Sequence, residues 1–307
     1  MKMKKNMISK IISVADADPS GLIRNGLYIA QALRNVRKLR RETTRYLRRK
    51  HITASCSDTF FILGSGASVC ELNQEDFSHI EKNVSIGVNT WPFHPFVPDI
   101  YAFEHFSVPG KKIEKIEEAL NSKKVTNKNP YLLVKDSVFG VSPKQRIKIP
   151  KKLKSNTYYY TSVPILTRKP SLLSRAYGDF IRLQSLGLIP YCCAADRGAS
   201  IVRLASIGVL SGFKKIVFVG VDLNSTKHFW EEDQQVARRW NTKELSSDQT
   251  GKVHETNDPE KKRFTVTQVL KAMQEVALAN HRVSMWVESS ESALSSFMDI
   301  YKFPHKS

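Results

Sequence analysis

Acidic residues are scarce in this chain: 29 Asp and Glu stand against 48 Lys and Arg in 307 residues, a formal net charge of +19. Such a deficit argues for a polyanionic partner, whether nucleic acid, an anionic membrane leaflet or a phosphorylated glycan. Cysteine is also sparse. The four cysteines, Cys56, Cys70, Cys192 and Cys193, show no CxxC spacing, which excludes the common zinc knuckle and the thioredoxin-like redox pair. A reducing compartment is the simplest expectation. Cys192 and Cys193 sit in the apolar run 188–193 and read as buried, inert thiols. No run approaches the ~20 apolar residues that a spanning helix needs, so a transmembrane segment is not expected. Residues 1–17 resemble a signal peptide only superficially, because Lys10 breaks a short apolar run and no convincing cleavage site follows. These absences together predict a cytoplasmic protein.

What is present divides unevenly. A hydrophobic content of 41% suffices for one substantial core with an appendage, and the patterning suggests a basic helical region over 1–55 followed by an α/β domain over 56–307. Between Gly26 and Lys50, Leu27, Ala30, Leu33, Val36 and Leu47 recur at near-helical spacing, while Arg34, Arg37, Lys38, Arg40, Arg41, Arg45, Arg48 and Arg49 crowd the remaining surface. This basic amphipathic helix either docks on an anionic membrane surface or packs, solvated, on the domain or a second subunit. No aromatic stacking platform is apparent among the charges, so nucleic acid is not the expected partner.

After Thr59, strand-like and helix-like periods alternate, the signature of a Rossmann-like, doubly wound, mostly parallel sheet with helices on both faces. Strands are expected at 59–63, 84–88, 99–103, 131–134, 188–192, 215–219 and 283–287. The clearest helices are expected at 172–186, 199–211 and 265–279. A Pro- and Lys-rich stretch over 138–154 interrupts the pattern. The long polar segment at about 223–262 is expected to be a mobile lid.

The run Phe60-Phe61-Ile62-Leu63-Gly64-Ser65-Gly66-Ala67-Ser68 takes a buried strand into a glycine-rich turn. Glycine lets backbone amides approach a phosphate or ribose with no Cβ in the way. The third glycine of the dinucleotide fingerprint is missing, Val69 standing in its place, so NAD is not favoured. Asn89 and Glu104 follow two further strands, and Asp222 closes Ile216-Val217-Phe218-Val219-Gly220-Val221-Asp222. In an open α/β sheet, polar groups at strand carboxyl ends converge on one crevice. For Asp222, a capping or pairing role at the sheet edge stands beside ligand contact.

Taken in order, Gly64-Ser65-Gly66-Ala67-Ser68, Val88-Asn89, Arg197-Gly198-Ala199-Ser200, Gly220-Val221-Asp222 and His254-Glu255-Thr256-Asn257-Asp258 resemble the bacterial sialyltransferases of glycosyltransferase family 42. The resemblance covers about 59–303 and is sparse between 108 and 190. It implies a Rossmann-like sheet, a lid over a CMP-activated sialic acid donor, and no metal or other cofactor. It further implies that Ser65 stands near the donor, that Asn89 and Ser200 contact the nucleotide, and that Arg197 lies on the acceptor side. Glu104 falls where the family has an asparagine, and there it either repels an anionic donor or binds a hydroxyl of a different sugar. The family's lid tyrosines, which hydrogen-bond the leaving phosphate, are replaced in Asn224-Ser225-Thr226-Lys227-His228-Phe229-Trp230. His228 or Lys227 is the expected substitute, because negative charge builds on the departing phosphate. His254 matches the catalytic histidine, and an imidazole with an ordinary pKa of about 6.5 suits a general base at neutral pH.

The resulting expectation is an inverting transferase acting on a bacterial surface glycan: lipooligosaccharide, lipopolysaccharide or capsule. Its donor site comprises Gly64, Ser65, Gly66, Ser68, Asn89, Glu104, Ser200, Asp222 and Asn224, and its catalytic group comprises His254, Arg197 and His228. Partners would be a CMP-sugar, a glycan or glycolipid acceptor and the inner face of the inner membrane, with a homo-oligomer left open. Two alternatives stand beside it: a Rossmann-type pyrophosphokinase or other nucleotide-dependent enzyme, and an inactive nucleotide-sugar-binding module.

Overall fold

Period-two alternation in the first strand sets up two cores. Phe60 and Ile62 enter the apolar cluster on one face of the sheet, and Phe61 and Leu63 enter the cluster on the other. A strand buried on both faces is what an all-parallel sheet covered by helices requires. The computed structural model describes residues 19–43, 45–53, 57–104, 110–135, 147–167, 169–245 and 254–306. Its strands are β1 (Thr59–Leu63), β2 (Val84–Val88), β3 (Ile100–Glu104), β4 (Tyr131–Lys135), β5 (Thr157–Pro164), β6 (Cys193–Asp196), β7 (Lys215–Val219), β8 (Ser284–Val287) and β9 (Asp299–Ile300). They form one nine-stranded sheet in the order β6-β5-β4-β3-β2-β1-β7-β8-β9, and every neighbouring pair is parallel. The Rossmann-like, doubly wound α/β architecture expected from the sequence is therefore present. The strand order reverses at β1, which pairs with β2 on one side and, from Thr59↔Lys215 to Leu63↔Val219, with β7 on the other.

The described α-helices are α1 (Pro19–Glu42), α2 (Gln74–Glu81), α3 (Gly110–Leu120), α4 (Lys123–Lys128), α5 (Leu173–Ser185), α6 (Ser200–Ser211), α7 (Phe229–Glu232), α8 (Gln234–Trp240) and α9 (Val266–His281). One face of the sheet carries α1, α5, α6 and α9, and the other carries α2, α3, α7 and α8. Every residue of α6 from Ile201 to Ser211 is buried, so it is a core helix with no solvated stripe. Thr265 caps α9, its hydroxyl accepting from the Gln268 amide.

Several expectations need correction. Residues 188–192 are a turn, not a strand: the Gln184 side-chain amide donates to the carbonyls of Pro190, Tyr191 and Cys193, and β6 begins only at Cys193. Strand β3 starts one residue late, because the Asp99 carboxylate accepts from the amide and hydroxyl of Ser85. Strands β5 and β9 were not anticipated. On α1 the buried stripe is Tyr28, Ala32, Val36 and Leu39, whereas Leu27 and Leu33 face outward. The helix packs on β5 and α5. Its side chains tie in as well, with Tyr28 Oη accepting from the Leu166 amide at 2.9 Å and the Asn35 amide donating to the Ser162 carbonyl at 2.8 Å.

The expected lid is in part a docked element. Phe229, Trp230, Val236 and Trp240 of α7 and α8 enter the second core, and Trp240 Nε1 donates to the Phe93 carbonyl at 3.0 Å. Residues 246–253 of that segment lie outside the described residues.

At the reversal point two turns cross at touching distance. The Gly64 amide donates to the Val219 carbonyl at 2.7 Å and the Gly66 amide to the Gly220 carbonyl at 2.8 Å. Gly220 has φ +64°, and a Cβ there would overlap Val69 and crowd the Gly64 carbonyl. Gly220→Ala is therefore expected to cost about 2–4 kcal/mol, from left-handed backbone strain plus overpacking. Urea unfolding checks this; an unchanged midpoint would show that the crossing relaxes freely.

Candidate functional site

A cavity of about 480 Å³ opens where the strand order reverses, within the ~300–1,000 Å³ typical of small-molecule sites. Its walls come from the carboxyl ends of β1, β2, β3 and β7, the amino end of α6, the first turn of α3 and the loops carrying His228 and His254. Gly64, Ser65, Gly66, Asn89, Glu104, Ser200, Asp222, His228 and His254, all singled out in the sequence, line this one space. Ser68, Arg197 and Asn224 do not. The Arg197 guanidinium donates to the carbonyls of Ile165 at 2.8 Å and Thr167 at 2.9 Å and lies over the Phe264 ring. The Asn224 amide turns away to the Glu291 carbonyl.

The floor is built first from backbone. Ser65 accepts from the Phe229 amide at 3.0 Å through its carbonyl, so the glycine turn is stitched to α7 as well as to β7. The Asp222 carboxylate is buried and accepts from the Ser68 hydroxyl at 2.6 Å and the Ser68 amide at 3.2 Å. Ser68 and Asp222 thus brace the turn against each other. Asn89 adopts φ +50° at the end of β2, a left-handed position that asparagine tolerates. Its Oδ1 accepts from the Glu104 amide at 3.3 Å.

Glu104 is charge-matched. Its carboxylate pairs with Arg203 and accepts from the Ser200 hydroxyl, and Arg203 also pairs with Asp196, which meets Lys135 at 3.3 Å. A carboxylate so neutralised repels an anion far less than a lone one. The Ser200 hydroxyl in turn accepts from the Arg203 guanidinium at 3.5 Å. The residue before α6 is Ala199, whose side chain cannot cap, so among the described residues the first amides of this helix have no side-chain partner at the cavity wall. They carry the positive end of the helix dipole and suit an anion.

The sequence reading missed Lys112. From the first turn of α3 its ammonium sits 4.9 Å from the centroid of the Trp230 ring and lines the cavity. Burial lowers its pKa, opposed by the charge of Glu231. Among the described residues it meets no carboxylate at ion-pair distance, whereas Lys227 is paired with Glu232 at 3.0 Å.

Burial disfavours the charged form of both cavity histidines. Burial pushes His228 down to about 4, with further lowering from Lys112. Its ring stacks on Trp230 at 4.7 Å, and its Nδ1 lies 3.1 Å from Ser65 Oγ and 3.2 Å from the Ser65 carbonyl. With its proton on Nδ1 the ring donates to the Ser65 carbonyl, and with its proton on Nε2 it accepts from the Ser65 hydroxyl. Both expected substitutes for the lid tyrosines, His228 and Lys227, line the cavity. Burial also lowers the pKa of His254, countered by Glu255. The His254 amide donates to the Leu223 carbonyl at 3.2 Å, and its Nδ1 accepts from the Thr256 amide at 3.3 Å and lies 2.8 Å from Thr256 Oγ1. Among the described residues, no group of three or more His, Cys, Asp or Glu is arranged to hold a metal ion.

No protein-family model and no curated protein sequence matches the chain. Among solved structures, the chain is similar to the sialyltransferase CstII from Campylobacter jejuni, solved with the substrate analogue cytidine-5'-monophosphate, at 12% identity over 80% of this chain and 85% of that one, with a TM-score of 0.40.

Proposed function

We propose that the chain is an inverting glycosyltransferase that moves a sialic acid or related ulosonic acid from its CMP ester to a glycan hydroxyl. The observation that carries this reading is the pairing, in one cavity at the strand reversal, of a phosphate-receptive wall with a neutral imidazole. The wall is the uncapped amino end of α6 together with Lys112; the imidazole is His254. The order of motifs shared with family 42 supports the choice of donor class.

In this reading the acceptor oxygen attacks the anomeric carbon, the carbon–oxygen bond to phosphate breaks, and CMP leaves with the bonding pair. Attack opposite the leaving group inverts the anomeric centre. The acceptor proton goes to Nε2 of His254, whose lone pair is available in the tautomer in which Nδ1–H donates to Thr256 Oγ1 and gives up the bond that it otherwise accepts from the Thr256 amide. Developing charge on the phosphate meets Lys112 and the α6 amides, a preorganised arrangement of the kind that dominates many rate enhancements. Asn89 and Ser200 border the nucleotide. Arg197, bound to two carbonyls, shapes the acceptor side by holding the 165–167 loop. No metal is required by this scheme, and the acceptor is a bacterial surface glycan reached from the cytoplasmic side.

Incubating the protein with a panel of CMP-sugars and acceptors, and following CMP release, tests the reading. Acceptor-dependent CMP release is the expected result. ATP consumption without CMP-sugar turnover would assign the cavity to a pyrophosphokinase-like reaction, and CMP binding without turnover to a binding module.

A further inference from the structure

The outward face of α1 is the opposite of what a helix at a finished protein surface usually presents. With one stripe buried against β5 and α5, the other carries Ile23, Leu27 and Leu33 at 69%, 53% and 44% exposure. Along the exposed side Ile23, Leu27, Ala30, Arg34, Arg37 and Arg41 alternate at spacings of four and three, the repeat of a single helix face. Its first half is apolar and its second half is cationic. The chain beyond α1 extends the charge, because Arg45, Arg48, Arg49 and Lys50 are also exposed.

Three further observations orient this face. First, α1 runs antiparallel to β5: Tyr28 meets Leu166 just past the carboxyl end of that strand, whereas the Arg45 carbonyl accepts from the Tyr159 amide near its start. The apolar half therefore stands at the sheet edge onto which the cavity opens. Second, the same 165–167 loop that receives Tyr28 also holds Arg197, beside Gly198 and Ala199 of the cavity wall. Third, the face is anchored at the domain by the ion pair of Arg24 with Asp179, so its orientation to the cavity is fixed by the fold.

We infer that the outer face of α1 docks the protein on a bilayer containing anionic lipid, with Ile23, Leu27 and Leu33 entering the headgroup region and Arg34, Arg37 and Arg41 pairing with lipid phosphates. The charge pattern selects this occupant. A second copy of the chain would bring like-charged arginines together, which is repulsive. Nucleic acid would leave the exposed leucines without a counterpart, and the aromatic ring among these cations, Tyr46, is already covered by Arg40 and Arg48. Apolar side chains interspersed with arginine on one helix face match the chemistry of a headgroup interface. The consequence for the cavity is geometric: its mouth lies along the membrane plane, where a lipid-linked acceptor would be met.

Because α1 contributes Tyr28, Ala32, Val36 and Leu39 to the core, its deletion would unfold the domain, and the test uses surface substitutions in the full chain. Sedimentation with vesicles of equimolar phosphatidylcholine and phosphatidylglycerol, against phosphatidylcholine alone, is expected to show binding to the anionic vesicles that weakens in high salt. Arg34→Gln/Arg37→Gln/Arg41→Gln should weaken it on the order of a hundredfold, and Leu27→Ser/Leu33→Ser by at least about tenfold, with unchanged thermal melting in both. Equal binding of wild type and either variant would overturn the inference, as would absence of binding to anionic vesicles. A dimer by sedimentation equilibrium that the leucine variant abolishes, with vesicle binding intact, would reassign the face to a second copy. Displacement of vesicles by single-stranded DNA from a site shared with the arginine variant would reassign it to nucleic acid. The vesicle assay is independent of donor chemistry, so its failure leaves the transferase reading untouched.

Discussion

His254→Ala is expected to lower acceptor-dependent CMP release by about 10²–10⁴-fold, the usual contribution of a positioned general base, while the dissociation constant for CMP stays within about twofold. The loss should fall on proton removal, because the wall proposed to receive phosphate, α6 and Lys112, is untouched. Normal turnover in this variant would remove His254 from the mechanism. The pH profile carries the same information. Burial holds the His254 pKa below its ordinary 6.5, so the basic form persists to lower pH and the acid limb of kcat/KM should lie under pH 6.5. Glu255→Gln removes the opposing charge and should move that limb further down. Thr256→Val separates the two tautomers. Without the hydroxyl, Nδ1 retains only the backbone N–H at 3.3 Å, which favours the proton on Nε2 and removes the base. Thr256→Val should therefore approach His254→Ala in rate, and wild-type turnover would show that Nδ1–H is held some other way.

Lys112→Met is expected to reduce kcat by about 10²–10³-fold, the effect of deleting one preorganised charge-stabilising donor, yet to leave the melting temperature unchanged or higher. Methionine keeps a stem over Trp230 and removes a cation that burial disfavours. The sign follows from linkage: a lysine whose folded pKa is lowered binds protons more weakly in the folded state, so its charge opposes folding at neutral pH. A structural lysine would show the reverse, lower stability with activity retained. Lys112→Arg should recover part of the rate, because charge is restored with different hydrogen-bond geometry.

The contrast between Lys112 and His254 shows what a sequence displays and what it hides. His254 stood out through its ordered neighbours, and the glycine turns through their composition. Strands β1, β2 and β7 were read at their true bounds because Val, Ile, Leu and Phe dominate them. Lys112 sits in Gly110-Lys111-Lys112-Ile113-Glu114-Lys115, where one lysine looks like another. Its distinction is the Trp230 ring above it, which arrives from a segment far along the chain and was read as a polar lid. Strand β5 was missed for a related reason: Thr157-Tyr158-Tyr159-Tyr160 follows a Pro- and Lys-rich stretch and its hydroxyl-bearing residues dilute the apolar signal. On α1, leucines outweighed tyrosine and alanine in the pattern, yet Tyr28 and Ala32 occupy the buried stripe. Packing against β5 selected the face there, and that partner was itself unrecognised.

The pairing of β1 with β7 also governs how the molecule comes into being. Strand β1 leaves the ribosome early, but its partner on one side is made only after β2 to β6 and α6, so an unpaired strand edge persists through most of synthesis. Long-range parallel pairing of this kind is slow, and open edges invite aggregation. The cavity spans this seam, with Gly64 and Gly66 on one bank and Gly220 and Asp222 on the other. The cavity thus exists only once β1 and β7 have joined. Under the proposed function, nucleotide supplied during refolding should raise the yield of joined molecules, because its cavity is absent before the two strands meet.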